Sequence, residues 1–325
     1  MLLARYVLRR LAISIPVVFI ITVIGFVTLA MAPGDQLTAR VGPEILSQLS
    51  QSEIEGLRSD LGLDKPVIAR YGIWLQDVAG GDLGYSVVNK RPVAEELKAR
   101  IGPTLLLMGT ALVIGMVVGT VLGVIAALRQ YSALDYLIAG FSTAMVAIPG
   151  FVVGLVFIYF FAAKLQWLPA AGMHTPGMED SKVDLIKHMV MPATILGLAL
   201  AAPVTRYARA SMLEVLNADY IVTARAKGIG VRLVILRHAL RNALVPIITV
   251  GGLALPDLVA GAVITESIFG WPGMGQLAVK AASSRDASLM MGVILVVAIT
   301  VLIANLVTDL AYGVADPRIR LVRKR

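Results

Sequence analysis

Residues 104–128 read TLLLMGTALVIGMVVGTVLGVIAAL, twenty-five residues without one formal charge. At 1.5 Å per residue such a run crosses the hydrocarbon of a bilayer as a helix. Within it Gly115, Gly119 and Gly123 recur every fourth residue, so one helix face carries only hydrogens. Such stripes let membrane helices approach closely.

Working outward, five more stretches are long enough, or nearly so, to do the same: Leu11–Met31, Tyr136–Ala163, Met189–Thr205, Ala243–Thr265 and Ala287–Thr308. The chain is 58% hydrophobic and only 15% charged, a composition that excludes a water-soluble core. The expectation is an all-α integral membrane protein with six transmembrane helices. Met189–Thr205 is short and holds Pro192 and Pro203, so hydropathy supports it least. Pro149-Gly150 falls mid-way along the third stretch, and Pro246, Gly251, Gly252 and Pro256 lie in the fifth. Proline removes a backbone donor and kinks a helix, and broken helices persist at membrane depth only against protein or a wet cavity. Spans three and five are therefore expected to line a central pathway. Asp257, in span five, is a charged group in the membrane and a functional candidate.

Orientation follows the basic residues beside the spans. Arg5, Arg9 and Arg10 precede span one. Residues 206–242 carry seven Lys/Arg against Glu214 and Asp219, a net +5, and residues 314–325 carry five against Asp316, a net +4. Residues 32–103 hold eight basic and ten acidic residues. Both termini and the 206–242 loop are thus expected in the cytoplasm. This bias accounts for the formal net charge of +8 without a nucleic-acid partner. Ala30-Met31-Ala32 mimics a signal-peptidase site, but the 21 apolar residues before it exceed a normal signal core and Pro33 follows directly. Span one is expected to stay as an anchor.

There is no cysteine, hence no disulfide or thiolate metal site, and His174, His188 and His238 lack helical metal-ligand spacing. No metal site is expected. No G-x-x-x-x-G-K-[ST] phosphate loop is present, nor any Gly-Lys pair, so the chain is not expected to hydrolyse ATP.

The expected organisation is an N-terminal tail and first span over 1–31, a small external subdomain over 32–103, a body of spans two to six over 104–313, and a basic tail over 314–325. The external segment carries a helical pattern at Gln51–Leu61, a second with Tyr71 and Trp74, and turns at Gly62–Pro66 and Gly80–Asp82. From within the 206–242 loop into the start of the fifth span, Asp219–Ile248 reads DYIVTARAKGIGVRLVILRHALRNALVPII. Tyr220, Thr223, Ala224 and Lys227 share one face at helical spacing, and Gly228 and Gly230 stand where a helix would end. Two readings fit a short basic helix there: a knob gripped by a partner protein, or an amphipathic segment lying on anionic lipid.

The ordered set of motifs resembles the first permease subunit of bacterial ATP-binding-cassette importers for dipeptides, oligopeptides and nickel, over essentially the whole chain. Its carriers are Arg5–Leu11, Ala32-Pro33-Gly34-Asp35, Leu61–Pro66, Gly81–Ser86, Ser211–Leu216, Asp219-Tyr220, Thr223–Gly228, His238–Ala243, Thr265–Gly275 and Asp316–Arg320. Ala224 and Gly228 fall where the superfamily's E-A-A-x-x-x-G loop has its last alanine and its glycine, while Val222 occupies the acidic position.

The resemblance implies a type I ABC importer permease fold. It also implies that Tyr220, Thr223, Ala224, Arg225, Ala226, Lys227 and Gly228 form a coupling helix seated on an ATPase subunit. Pro149, Gly150, Asp257, Trp271, Pro272 and Gly273 are the implied path or gate, with Trp271-Pro272-Gly273 a stiff turn whose bulky tip plugs the outer mouth or anchors at the interface. Implied partners are a second homologous permease, two ABC ATPases holding ATP and Mg, an extracytoplasmic substrate-binding protein and membrane lipid. Peptide is the expected cargo. Nickel, glutathione or another small solute is the alternative within the family, and an ion-coupled secondary transporter the alternative outside it.

Overall fold

The computed structural model describes residues 2–32, 37, 41–60, 62–87 and 89–315. Among these, regular structure is helical apart from one isolated antiparallel pairing of Tyr85 with Pro92. Helix α1 is Leu2–Met31, α2 Gln51–Asp60 and α3 Val67–Ala79. Helix α4, Val93–Leu128, begins eleven residues before the expected second span and runs unbroken through Pro103. Helix α5 is Ala133–Ala147, and α6 is Gly150–Phe157, which continues as a π-helix over Ile158–Lys164. Helix α7 is Lys182–Leu216, and α8 is Asp219–Ala226. A turn at Val231–Leu233 and a π-helix at Val234–Ala239 lead into α9, Leu240–Leu253. Then come α10 (Leu255–Ile268), α11 (Met274–Ser283) and α12 (Ala287–Ala315).

Arg9–Met31, Val93–Leu128, Lys182–Leu216 and Ala287–Leu310 are each long and apolar enough to cross a membrane. Two bent pairs raise the number to as many as six if each is one span: Ala133–Ala147 with Gly150–Lys164 at 101°, and Val231–Leu244 with Pro246–Leu253 at 43°. The third span is broken rather than kinked. Pro149 forces the residue before it out of the helical region, and Ile148 sits extended at φ −87°, ψ 123°. The fifth is divided at Ala254, where Pro256 in the first turn of α10 has no amide hydrogen to give a preceding turn. Span four, the weakest by hydropathy, is the most buried of the four long helices. Its apolar average is diluted by polar ends that extend the helix beyond Met189–Thr205 on both sides.

The chain divides into two compact units. The first comprises Met1–Pro103 and Pro272–Leu302. Its core joins Val93 and Leu97 of α4 to Met274, Leu277 and Ala281 of α11 and to Leu289 and Val293 of α12. Asp286, fully buried, caps α12 by accepting from the Leu289 amide at 3.0 Å. Its other oxygen accepts from the Ser86 hydroxyl at 2.7 Å and the Val87 amide at 2.8 Å. The segment before α4 is thereby tied to the segment before α12. Helix α2 opens on a capping box, in which Ser50 donates its hydroxyl (2.6 Å) and amide (2.8 Å) to Glu53. The Ser50 hydroxyl, then its amide, hold the Glu53 carboxyl below its ordinary value.

The second unit comprises Thr104–Trp271 and Ile303–Arg325. Its axis is α7, which packs against α5, α6, α9 and α10. The glycine stripe of α4 also meets α7: Gly115 lies beneath Leu200, Gly119 beneath Val204 and Gly123 beneath Ala208. Leu107 and Ala111 of α4, Leu196 and Leu200 of α7, and Ile247 of α9 belong to one buried cluster.

Candidate coupling site

Helix α7 ends at Leu216, Ala218 is extended, and α8 starts at Asp219. Thr223 donates its hydroxyl to the Asp219 carbonyl at 2.9 Å. After Ala226 the chain reverses through Gly228 at φ +76°, a left-handed conformation that favours glycine. No atom lies within 4 Å of a Cβ placed there, so Gly228 serves the turn and not a close approach. Gly230, at φ −59°, asks nothing special of its residue type.

Two residues fasten α8 to the chain. Ile221 is fully buried and Ala224 is 8% exposed, in a cluster with Ala127 of α4, Met212 of α7, Val234, Ala239 and Ala243. Burying an isoleucine to that degree contributes about 1.5–3 kcal/mol. On the flank, Asn242 of α9 donates to the Tyr220 hydroxyl at 3.1 Å and to the His238 carbonyl at 2.8 Å. Val222, Thr223, Arg225, Ala226, Lys227 and Gly228 are exposed, and Tyr220 is half exposed. The helical-face expectation therefore needs one correction. Ala224 points inward onto the protein's own core, because Ile221 and Ala224 sit one turn apart on the face that meets Met212. The outward face consists of Val222, Thr223, Ala226 and their basic neighbours.

A bidentate ion pair lies beside this knob. Arg209 of α7 donates from Nε to Asp135 Oδ1 and from Nη2 to Asp135 Oδ2, both at 2.7 Å. Asp135, 3% exposed, also accepts from the Tyr131 amide at 2.9 Å, and its own amide is capped by Ser132. The first turn of α5 is thus bolted to α7 seven residues before α7 ends. Sequence reading missed this pair. The partners are 74 residues apart, and Arg209 was one of seven basic residues in a loop read only for its charge.

The expected path residues are dispersed. Pro149 and Gly150 are exposed at the break between α5 and α6. Asp257 lies in the first turn of α10, and its side chain is outside the described residues. Trp271 is not a projecting tip. It is fully buried in the cluster with Leu107, Leu196 and Ile247, its amide bonded to the Glu266 carbonyl at 2.9 Å. A left-handed Gly270 (φ +56°) turns the chain so that the indole folds inward. Gly273 is buried and Pro272 half-buried. A further buried carboxylate, Glu266, accepts from the Thr104 hydroxyl at 2.6 Å, a pairing with no short-range signal in the sequence. Near the start of α7, Asp184 accepts from the Thr175 amide (2.7 Å) and hydroxyl (2.8 Å), and His188 contacts Thr175 and the Gly172 carbonyl. Among the described residues no cluster suits a metal ion.

A bundle built on broken apolar spans, with a short helix presented from its basic side, defines a transport permease. Residues 119–321 match the family described as the binding-protein-dependent transport system inner membrane component, and residues 2–108 match the N-terminal region of such membrane components; the chain belongs to this family. It is accordingly the inner-membrane permease of an ABC importer, working with a separate ATPase and a substrate-binding protein, and ATP hydrolysis belongs to the ATPase. Among curated proteins it is 42% identical to a putative peptide permease of Brucella suis biovar 1, covering 98% of this chain and 99% of that one. It is 41% identical to the oligopeptide transport system permease protein AppB of Bacillus subtilis, with the same coverage. It is 37% identical to the glutathione transport system permease protein GsiC of Escherichia coli, over 97% of this chain and 99% of that one. Among solved structures, a chain of the MetNI methionine ABC transporter in inward facing conformations matches with a TM-score of 0.56 at 17% identity, covering 68% of this chain and 96% of that chain. The fold is that of a type I ABC importer permease.

Proposed function

We propose that this permease carries di- or oligopeptides, and that α8 is the coupling helix on which an ATPase subunit pulls. Two relatives matching at 41–42% over nearly full length are named for peptide or oligopeptide transport. The third is named for glutathione, which is itself a short peptide. The geometric observation that carries the coupling role is the two-sided character of α8. Ile221 and Ala224 are spent on the chain's own core, while Val222, Thr223, Arg225, Ala226 and Lys227 cover nothing in it.

Small outward residues such as Thr223 and Ala226 let a groove close around the helix, and Arg225 and Lys227 pair with acids on its rim. A second, homologous permease completes the path, and two ATPases hold ATP and Mg. Their closure on ATP drags α8, and through it α7 and α9, switching the cavity from inward- to outward-facing. The 206–242 loop and both termini lie on the cytoplasmic side, as the basic bias requires. Pro149 and Gly150 remain candidates for the path because the break exposes them. Asp257 stands beside them as a candidate by position alone.

The test is Ala226→Trp combined with Lys227→Glu, both on the outward face. The variant is expected to insert in the membrane normally, lose its co-purifying ATPase and lose peptide uptake. Unchanged ATPase recovery and uptake would sink the coupling role. Ala224→Glu is unsuitable, since it buries a carboxylate in the permease's own core.

A further inference from the structure

Helix α3 is thirteen residues long, about 20 Å, and too short to span a bilayer. None of its residues is buried, and most of what it exposes is apolar. Ile68 is 86% exposed, with Val67, Ile73 and Leu75 each about two-fifths exposed and Ala69 and Gly72 open beside them. A helix standing in water on an external subdomain would not carry such a surface.

The inward side of α3 shows where it lies. Tyr71 donates to or accepts from Thr22 at 2.9 Å and stacks edge-on against Phe19 and Phe26 of α1. Trp74 packs on Phe26, and the Arg70 guanidinium lies 5.9 Å from the same ring. Thr22 is nine residues, about 14 Å of helix, inside the outer end of α1 at Met31. The contact with α1 therefore sits within the span. Beyond Trp74, Asp77 of α3 lines a cleft of about 210 Å³ that runs from Phe26 and Arg70 to Leu29 and Ala30, so α3 follows α1 towards its outer end. Gln76 and Asp77, the exposed polar residues of α3, thus come at the outer end, and the apolar ones come below. Leu63 lines the same cleft, and four residues of chain reach at most about 14 Å, so Val67 stays within the outer half of the membrane.

We infer that α3 is embedded in the outer leaflet, with Ile68, Ile73 and Leu75 against lipid acyl chains in continuation of the lipid-facing surface of α1. The segment between the first two spans is then partly a membrane element. Its aromatic pair, Tyr71 and Trp74, sets its depth through their packing on Phe19 and Phe26 of α1. The inference rests on α1 being a span, and is independent of the cargo.

Because the chain has no cysteine, a single spin label can be placed without altering other positions. Ile68→Cys in the full chain, reconstituted in phosphatidylethanolamine–phosphatidylglycerol vesicles, is compared with Gln76→Cys, and Ile20→Cys marks the exposed side of α1. Label 68 is expected to collide more with oxygen and less with a water-soluble nickel chelate than label 76. Leu75→Cys repeats the measurement with a second side chain. Chelate access at 68 and 75 equal to that at 76 would overturn the inference by placing the face in water. Exclusion of both reagents would overturn it by showing a protein cover. If Ile20→Cys were also open to the chelate, the membrane reading of α1 would fail; if Ile20→Cys is in lipid, only the placement of α3 is at stake.

Discussion

Gly123→Ala adds one methyl group at the tightest point between α4 and α7. The new Cβ would lie 2.5 Å from Ala208 Cβ, 2.6 Å from the Thr205 carbonyl oxygen and 3.0 Å from the Arg209 amide nitrogen. Ordinary contacts of this kind are about 3.5–4.0 Å, so the helices must part locally by about 1 Å. Two of the three obstacles are backbone atoms of α7, which no rotamer change can move. At Gly119 the obstacles are Val204 at 2.6 Å and the Ala201 carbonyl at 2.8 Å, again partly backbone. At Gly115 they are Cδ2 and Cγ of Leu200 at 2.7 Å, which a rotamer change can move, and its Cβ at 2.8 Å, which only a small backbone shift can relieve. Overpacking of a close interface costs about 1–3 kcal/mol. Gly123→Ala and Gly119→Ala are expected at the upper end and Gly115→Ala at the lower. Gly109, on the same helix, has nothing within 4 Å of its Cβ. Gly109→Ala is therefore expected to be neutral, or to stabilise by up to about 1 kcal/mol through helix propensity. The assay is reversible unfolding of the purified chain in mixed micelles, followed by tryptophan fluorescence. If Gly123→Ala is as stable as Gly109→Ala, the two helices do not pack through the stripe and the reasoning fails.

The Asp135–Arg209 pair is expected to be worth more than a surface bridge, because Asp135 is nearly buried and all of its known bonds are charge-assisted or capping. Removing one partner, as in Arg209→Gln, should cost about 2–5 kcal/mol, with a large coupling energy in a double-mutant cycle with Asp135→Asn; additive losses would show that the two groups do not interact. Trp271→Ala should lose about 3–5 kcal/mol, as for a core aromatic, and Trp271→Phe much less. A gate-only role predicts the reverse pattern: stability unchanged, with uptake altered in both.

The membrane class and six apolar stretches were legible because hydrophobic length and charge bias are local properties of the chain. The glycine stripe was legible for the same reason: a four-residue period places all three glycines on one face whatever they meet. What they meet was not legible. Leu200, Val204 and Ala208 sit on a span whose two prolines and polar ends hid its importance. The inward turn of Trp271 depends on the left-handed Gly270 and on a buried cluster that includes Leu107 and Ile247, neither of which a motif reports. Ala224 shows the limit of helical spacing. Period identifies which residues share a face, and burial decides which face is turned to the protein.

The anchoring of α8 sets a condition on how force can pass through this chain. A helix that is pulled transmits motion only if its attachment to the permease outlasts the pull. Ile221 supplies about 1.5–3 kcal/mol, Ala224 less, and the Tyr220–Asn242 bond about 1 kcal/mol. These sum to a modest hold for an eight-residue helix, so the covalent links to α7 and α9 must carry much of the load. Helix α7 is fit for that task. It is the most buried long helix, it takes the α4 glycines beneath it, and Arg209 bolts it to α5 near its C-terminal end. Displacement of α8 should then reach α5 through Asp135 before it reaches Pro149, where the third span breaks by 101°. On the proposed coupling role, severing the Asp135–Arg209 bolt should leave ATPase binding intact and uncouple hydrolysis from uptake, whereas damage to the outward face of α8 should remove binding itself.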